Sequence, residues 1–258
     1  MTEDKLRNPT GYAEHMKAAV RSKVEHSFMT PIVLVPGLLC TAEVFAPQVA
    51  ALWPHGPITI ASTLEGDTIA GMATAILDTA PPRFALAGIS MGGYICLDIM
   101  RQAPERVTRL ALLDTSARPD TPDQTAQRYV LIAQARPENF EALLAPLYDA
   151  MLHPEHRNDP VLRATNLRMG LTVGVDGMAR QLRAIMGRSD SRPSLSAITV
   201  PTLVLVGDSD PFTPPELSGE IAEAIPEARL VVVKTSGHAS TLEQPEAVNR
   251  ALIEWLTA

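Results

Sequence analysis

Ile32-Val33-Leu34-Val35, Phe84-Ala85-Leu86-Ala87 and Leu203-Val204-Leu205-Val206 are apolar at every position, and longer amphipathic stretches lie between such runs. That alternation marks a parallel sheet crossed by helices, because a run with no polar face must be covered on both sides. It predicts strands at 32–35, 58–60, 84–88, 107–113, 202–206 and 229–233. Helices are expected at 42–52, 69–77, 92–103 and 215–224, with a last one after Pro245, where Ala247, Val248, Ala251, Leu252 and Trp255 recur at helical spacing.

The pattern breaks once. From about 117 to 197 there is no strand-like run, and 124–135, 137–151, 161–170 and 177–186 all have helical periodicity. A stretch of about eighty residues is too long for a plain connection. The chain therefore reads as an α/β core built from 1–116 and 198–258, with 117–197 inserted as a helical cap. Ahead of the first strand, 12–19 is weakly helical and 20–28 has the composition of a short edge strand.

At one junction the sequence carries chemistry. Gly88-Ile89-Ser90-Met91-Gly92 joins the third apolar run to a helix. Gly-x-Ser-x-Gly at a strand-to-helix turn forces the serine through a tight bend that exposes its hydroxyl. Ser90 is thus a candidate nucleophile, and it needs a base and an orienting acid.

Of the six histidines, His15, His26, His55, His153 and His156 sit in the N-terminal stretch, a Pro/Gly-flanked turn or the insertion. His238, in Ser236-Gly237-His238-Ala239-Ser240, follows the last apolar run, at the sheet edge where open α/β sheets place ligands. For the acid, Gly207-Asp208-Ser209-Asp210-Pro211 follows the fifth run. Asp210 lies deeper in the loop and is the better placed, whereas Asp208 suits a turn-organising role. Asp114 is the reserve, its other reading being a cap where the insertion begins. The order Ser90, Asp210, His238 is Ser, acid, His. Two amides are expected to face a developing oxyanion: Met91 N–H, after the nucleophile, and Leu38 N–H in Pro36-Gly37-Leu38-Leu39.

Composition removes whole classes of function. A chain of 258 residues, 46% of them hydrophobic, can bury a full core. A net charge of −7 and the lack of a Lys/Arg cluster argue against nucleic acid or an anionic membrane as partner. The first thirty residues are too charged for a signal peptide, and the longest apolar stretch is too short to span a bilayer, so a soluble cytoplasmic protein is expected. Cys40 and Cys96 do not amount to a disulfide scaffold and are read as reduced.

The GISMGG elbow, the PTLVLVGDSDPFTPP segment, the IPEARLVVV run and the SGH loop together resemble the α/β-hydrolase fold superfamily, from Pro31 to Ala258. They are similar to its Ser-His-Asp esterases and to enol-lactonase-like and haloperoxidase-like members. The resemblance implies Ser90 as nucleophile, Asp210 as acid, His238 as base, and Leu38 with Met91 as oxyanion donors. Its members often have His-Gly where this chain has Pro36-Gly37. It implies hydrolysis of a small carboxylic ester, lactone or thioester through an acyl-enzyme on Ser90, with no metal or organic cofactor.

Lyase or perhydrolase chemistry on the same fold is the alternative, and a non-catalytic binding protein a further one. Ser90 at the elbow excludes relatives that use an aspartate nucleophile. Two lesser signals remain. His153-Pro154-Glu155-His156 has a metal-like spacing but lacks a third ligand, and Pro154 disturbs the helix it would need. The insertion holds ten arginines against nine acids, interleaved in a way that reads chiefly as a solvated helical face of paired charges; the sharper alternative is that Arg180 and Arg183, three apart, meet a carboxylate or phosphate on a substrate. Met169, Leu171, Met178, Leu182, Ile185 and Met186 are read mainly as cap packing, some of them facing the cleft.

Overall fold

The computed structural model describes residues 29–258. The expectations for 12–19 and 20–28, and His15 and His26, lie outside the described residues.

Six strands form one parallel sheet: β1 (Ile32–Val35), β2 (Ile58–Ile60), β3 (Phe84–Ile89), β4 (Val107–Leu113), β5 (Thr202–Gly207) and β6 (Arg229–Val233), in the order β2-β1-β3-β4-β5-β6. Their apolar runs have the expected consequence. Val33, Val35, Leu86, Leu110, Leu112 and Val204 point to one face, while Ile32, Leu34, Ala85, Ala87, Ala111 and Leu113 point to the other. Two helices, α2 (Ile69–Thr79) and α3 (Met91–Gln102), close the first face together with α7 (Pro215–Ala224); α1 (Ala46–Leu52) and α9 (Pro245–Thr257) close the second. With both faces covered, no strand in the middle of the sheet needs a polar residue.

Between β4 and β5 lie three helices, α4 (Pro122–Gln134), α5 (Phe140–Met151) and α6 (Pro160–Met186). They have an apolar cluster of their own, with Phe140, Leu144, Tyr148, Met178 and Leu182 buried alongside Leu39 from the loop after β1. Thr121 caps α4 and exchanges bonds with Gln124 in a capping box. The helical periods at 161–170 and 177–186 prove to be one element bent at Gly174, whose φ of 73° and ψ of 174° are not helical. A glycine takes that conformation at little cost, so the two arms of α6 diverge there. A four-residue helix, α8 (Ser240–Glu243), follows the loop after β6. Among the described residues no helix is long and apolar enough to cross a membrane.

Candidate active site

The bend after β3 puts Ser90 at φ 55° and ψ −118°, in the left-handed region that L residues avoid. The surroundings hold it there. Ser90 N–H donates to the Leu113 carbonyl (2.9 Å), and its own carbonyl accepts from the Thr115 hydroxyl (2.8 Å) and Gly93 N–H (2.9 Å). The flanking glycines are required by close approach: a Cβ on Gly92 would collide with the Val35 carbonyl oxygen, and one on Gly88 with the carbonyl of Gly92. The serine hydroxyl is thereby fixed at the C-terminal edge of the sheet.

Three sequence-distant side chains meet at that edge. His238 Nε2 is 2.8 Å from Ser90 Oγ, and His238 Nδ1 is 2.7 Å from Asp210 Oδ2. An ionised carboxylate only accepts, so Nδ1 carries the proton, and Nε2 of the neutral ring offers its lone pair to the serine hydroxyl. Asp210 is itself fixed: Oδ1 accepts from the amides of Phe212 (2.8 Å) and Thr213 (2.9 Å), and Oδ2 from the Thr213 hydroxyl (2.7 Å). Burial pushes the Asp210 carboxyl up, but the His238 charge and these bonds outweigh it and hold the group below the usual carboxylate range. For His238 burial is also the largest single influence and acts downward. The Asp210 charge and hydrogen bond, with Asp114 and Glu243 behind, overcome it and lift the imidazole above its ordinary value. The Phe212 ring stands edge-on to the imidazole, with centroids 5.2 Å apart.

Asp208 accepts from Ser236 N–H (3.3 Å) and lies 3.7 Å from the Lys234 ammonium, so it organises the turns between β5 and the histidine loop. The reserve acid Asp114 does not cap the start of the insertion, contrary to one reading of the sequence. It is fully buried with φ 44°; Oδ1 accepts from Gly207 N–H (2.9 Å) and Oδ2 from the Ser240 amide and hydroxyl. It therefore ties the ends of β4 and β5 to the segment bearing His238, and burial together with the nearby Asp210 charge raises its carboxyl to about 7.

Of the two residues expected to supply donors, Met91 follows Ser90 directly and Leu38 lies in the loop after β1. Met91 N–H heads α3 and is one of the four amides that intrahelical bonding leaves open. Leu38 and Gly37 line the same cleft. Two supporting residues were not singled out in the sequence. Gln181, fully buried on α6, accepts from Leu39 N–H (2.9 Å) and donates to the Thr63 carbonyl (3.1 Å) and hydroxyl (3.2 Å), pinning the loop that carries Leu38. Glu243 accepts from Gly237 N–H (2.9 Å) and His153 N–H (2.7 Å), and lies 3.0 Å from His156 Nδ1, so it sets the histidine loop against the end of α5. Nothing local in the sequence marks either one, because each bond joins segments brought together only by the fold.

A cleft of about 540 Å³ opens over Ser90. Its apolar wall includes Val44, Leu131, Leu147, Met151, Met169 and Ile185. Of the six positions read as packing in the insertion, Met169, Leu182 and Ile185 reach the cleft, Met178 is buried in the apolar cluster of α4 to α6, Met186 is half-buried away from the cleft lining, and Leu171 is exposed. Cys40 also borders it, but burial pushes its thiol up to about 12, which leaves no thiolate to compete with Ser90. The sharper alternative for the arginines fails: Arg180 bonds the Leu64 carbonyl and Arg183 is exposed, as a solvated face would have it, whereas Arg118, Arg128 and Arg188 line the cleft. Among the described residues no group of three His, Cys, Asp or Glu is arranged to hold a metal ion. His156 is taken up by Glu243.

Residues 54–245 match the alpha/beta hydrolase fold family, and the chain belongs to it. Over 205 residues, 76% of this chain and 75% of the relative, it is 32% identical to a Mycobacterium tuberculosis protein named as a non-heme bromoperoxidase. It is 29% identical over 203 residues to the pimeloyl-[acyl-carrier protein] methyl ester esterase of Nitrosomonas europaea, covering 70% of this chain and 74% of that one. Among solved structures, the enol-lactonase from Burkholderia xenovorans LB400 superposes with a TM-score of 0.81 at 28% identity, covering 91% of this chain and 94% of that one.

Proposed function

We propose that this protein is a serine hydrolase that cleaves a small carboxylic ester, lactone or thioester through an acyl-enzyme on Ser90. The observation that carries the reading is the continuous line Ser90 Oγ, His238 Nε2, His238 Nδ1, Asp210 Oδ2, with spacings of 2.8 and 2.7 Å, at the floor of a mostly apolar cleft. The esterase and enol-lactonase names of relatives agree with it.

In this mechanism His238 Nε2 takes the Ser90 proton as Oγ attacks the substrate carbonyl. The tetrahedral oxyanion is held by the amides of Met91 and Leu38, a contribution typically worth about 100- to 1000-fold per donor. Collapse expels the alcohol or thiol, which collects its proton from Nε2. A water then enters, gives its proton to Nε2 and attacks the acyl-enzyme carbonyl; collapse returns that proton to Oγ as the acid leaves. Asp210 keeps Nδ1 protonated and offsets the imidazolium charge throughout. The cap formed by 117–197 supplies the wall that sets acyl-chain size.

A fluorophosphonate probe tests this. Wild-type protein is expected to be labelled and the folded Ser90→Ala variant not, while p-nitrophenyl esters from acetate to octanoate define the chain length. Folded wild-type protein that neither takes the label nor turns over any ester would overturn the proposal.

A further inference from the structure

Although the whole chain carries a net charge of −7, no Asp, Glu or Lys is found among the described residues that line the cleft; its fixed charges are Arg118, Arg128 and Arg188. Their partners do not balance them. Arg128 Nε lies 2.7 Å from Asp120 Oδ2, and Arg188 Nη1 bonds the other oxygen of the same carboxylate. Arg118 is held by Glu220, 2.9 Å from Nε. Three guanidiniums thus share two carboxylates, which leaves one positive charge in the wall.

The most enclosed of the three is Arg188, whose side chain is 6% exposed. Its guanidinium lies over the Tyr94 ring, 4.3 Å from the centroid, and also bonds the carbonyls of Ile185 (2.9 Å) and Arg118 (3.0 Å). Among the described residues its Nη2 makes no hydrogen bond. Tyr94 is one helical turn beyond Ser90 on α3, so this cation sits beside the nucleophile's end of the cleft. A cation held out of water on an apolar wall, with rotamer and stacking fixed in advance, is arranged to receive an anion and not to shed its charge into solvent.

We propose that Arg188, seconded by Arg128, forms a subsite for a carboxylate, so that the preferred substrate is an ester or lactone carrying a second, free carboxylate a few carbons from the scissile carbonyl. This rests on the hydrolase reading above and narrows its substrate class. A single surplus charge suits a monoanionic carboxylate better than a dianionic phosphate.

Two measurements test it. The first compares kcat/KM for the methyl half-esters of succinate, glutarate and adipate with that for methyl butanoate, pentanoate and hexanoate at low ionic strength. At the best length the half-ester is expected to lead by roughly 10- to 100-fold, the range of a charge-assisted bond. Arg188→Met should bring the ratio near one, Arg188→Lys should restore part of it, and Arg128→Gln, at a more exposed position, should lower it even if Arg188→Met folds poorly. A wild-type ratio of one or less at every length, or a ratio that neither Arg188→Met nor Arg128→Gln moves, overturns the proposal.

The second measures adipate binding to Ser90→Ala by calorimetry. It is expected to weaken at least about 10-fold when either arginine is replaced. Adipate binding that survives both replacements, or inorganic phosphate binding more tightly than adipate, overturns the carboxylate site whether or not esters are hydrolysed. Arginine-dependent adipate binding with no turnover of any ester supports the site and strikes the hydrolase reading alone.

Discussion

Gln181 offers a sharp test of how the loop carrying Leu38, the proposed oxyanion donor, is built. Its Oε1 takes Leu39 N–H at 2.9 Å across 142 residues of sequence, and its Nε2 gives two bonds to Thr63. Leu39 itself has φ 59°, so the turn that carries Leu38, the proposed second donor, is strained and depends on this support. Gln181→Met preserves volume but leaves a buried amide without an acceptor and a buried carbonyl without its donor. At about 1–3 kcal/mol for each buried group left unpaired, partly relieved by relaxation, the expected loss is about 2–4 kcal/mol of stability. If the loop drifts and the Leu38 donor is weakened but not lost, kcat falls about 10- to 100-fold, below the full cost of deleting a donor. KM should move little, because the interaction develops only as the oxyanion forms. Urea unfolding gives the first number and steady-state ester hydrolysis the second, measured well below the melting temperature. Gln181→Glu, which keeps the acceptor for Leu39, should recover part of kcat. A Gln181→Met protein that is destabilised yet keeps kcat within about threefold would refute the claim that this side chain positions the donor.

Three further outcomes are expected. In the proposed mechanism His238 works as the neutral base, and its imidazole is held above its ordinary value of 6.5, so kcat/KM should rise with pH through a midpoint above 6.5, and Asp210→Asn should lower both activity and midpoint; a wild-type midpoint below 6.5 contradicts the charge balance of the site. Burial and the Asp210 charge raise the folded Asp114 carboxyl to about 7, against 3.8 when unfolded, so stability should fall as pH rises between those values, and the Asp114→Asn variant should lack the part of that fall that chemical denaturation at pH 5 and 8 reads in the wild type. Gly92→Ala drives a methyl into the Val35 carbonyl and should cost about 2–4 kcal/mol with loss of fluorophosphonate labelling; normal melting and labelling would show that the elbow tolerates a side chain there.

The parts of the site that could be seen in the chain are those whose chemistry is local. Ser90 announces itself because two glycines and a strand-to-helix switch surround it within five residues. His238 and Asp210 are legible because each follows an apolar run, and the ends of parallel strands lie along one edge. Asp208 and Asp210 were separable by depth in the loop alone. Asp114 was not, since its bonds to Gly207 and Ser240 depend on β4 lying beside β5 and on where α8 begins.

What the sequence determined by itself was the double-covered parallel sheet, the elbow and the order of the three site residues, because period, run length and turn chemistry are properties of short segments. Tertiary structure alone decided which arginines face the cleft. The bend at Gly174 turns the second arm of α6 so that Arg180 leans on Leu64 and Arg183 meets solvent. Arg188, just beyond the helix end, instead folds over Tyr94. It was likewise only the fold that gave Gln181 and Glu243 their work, since each joins backbone amides that helical and strand periodicity do not relate.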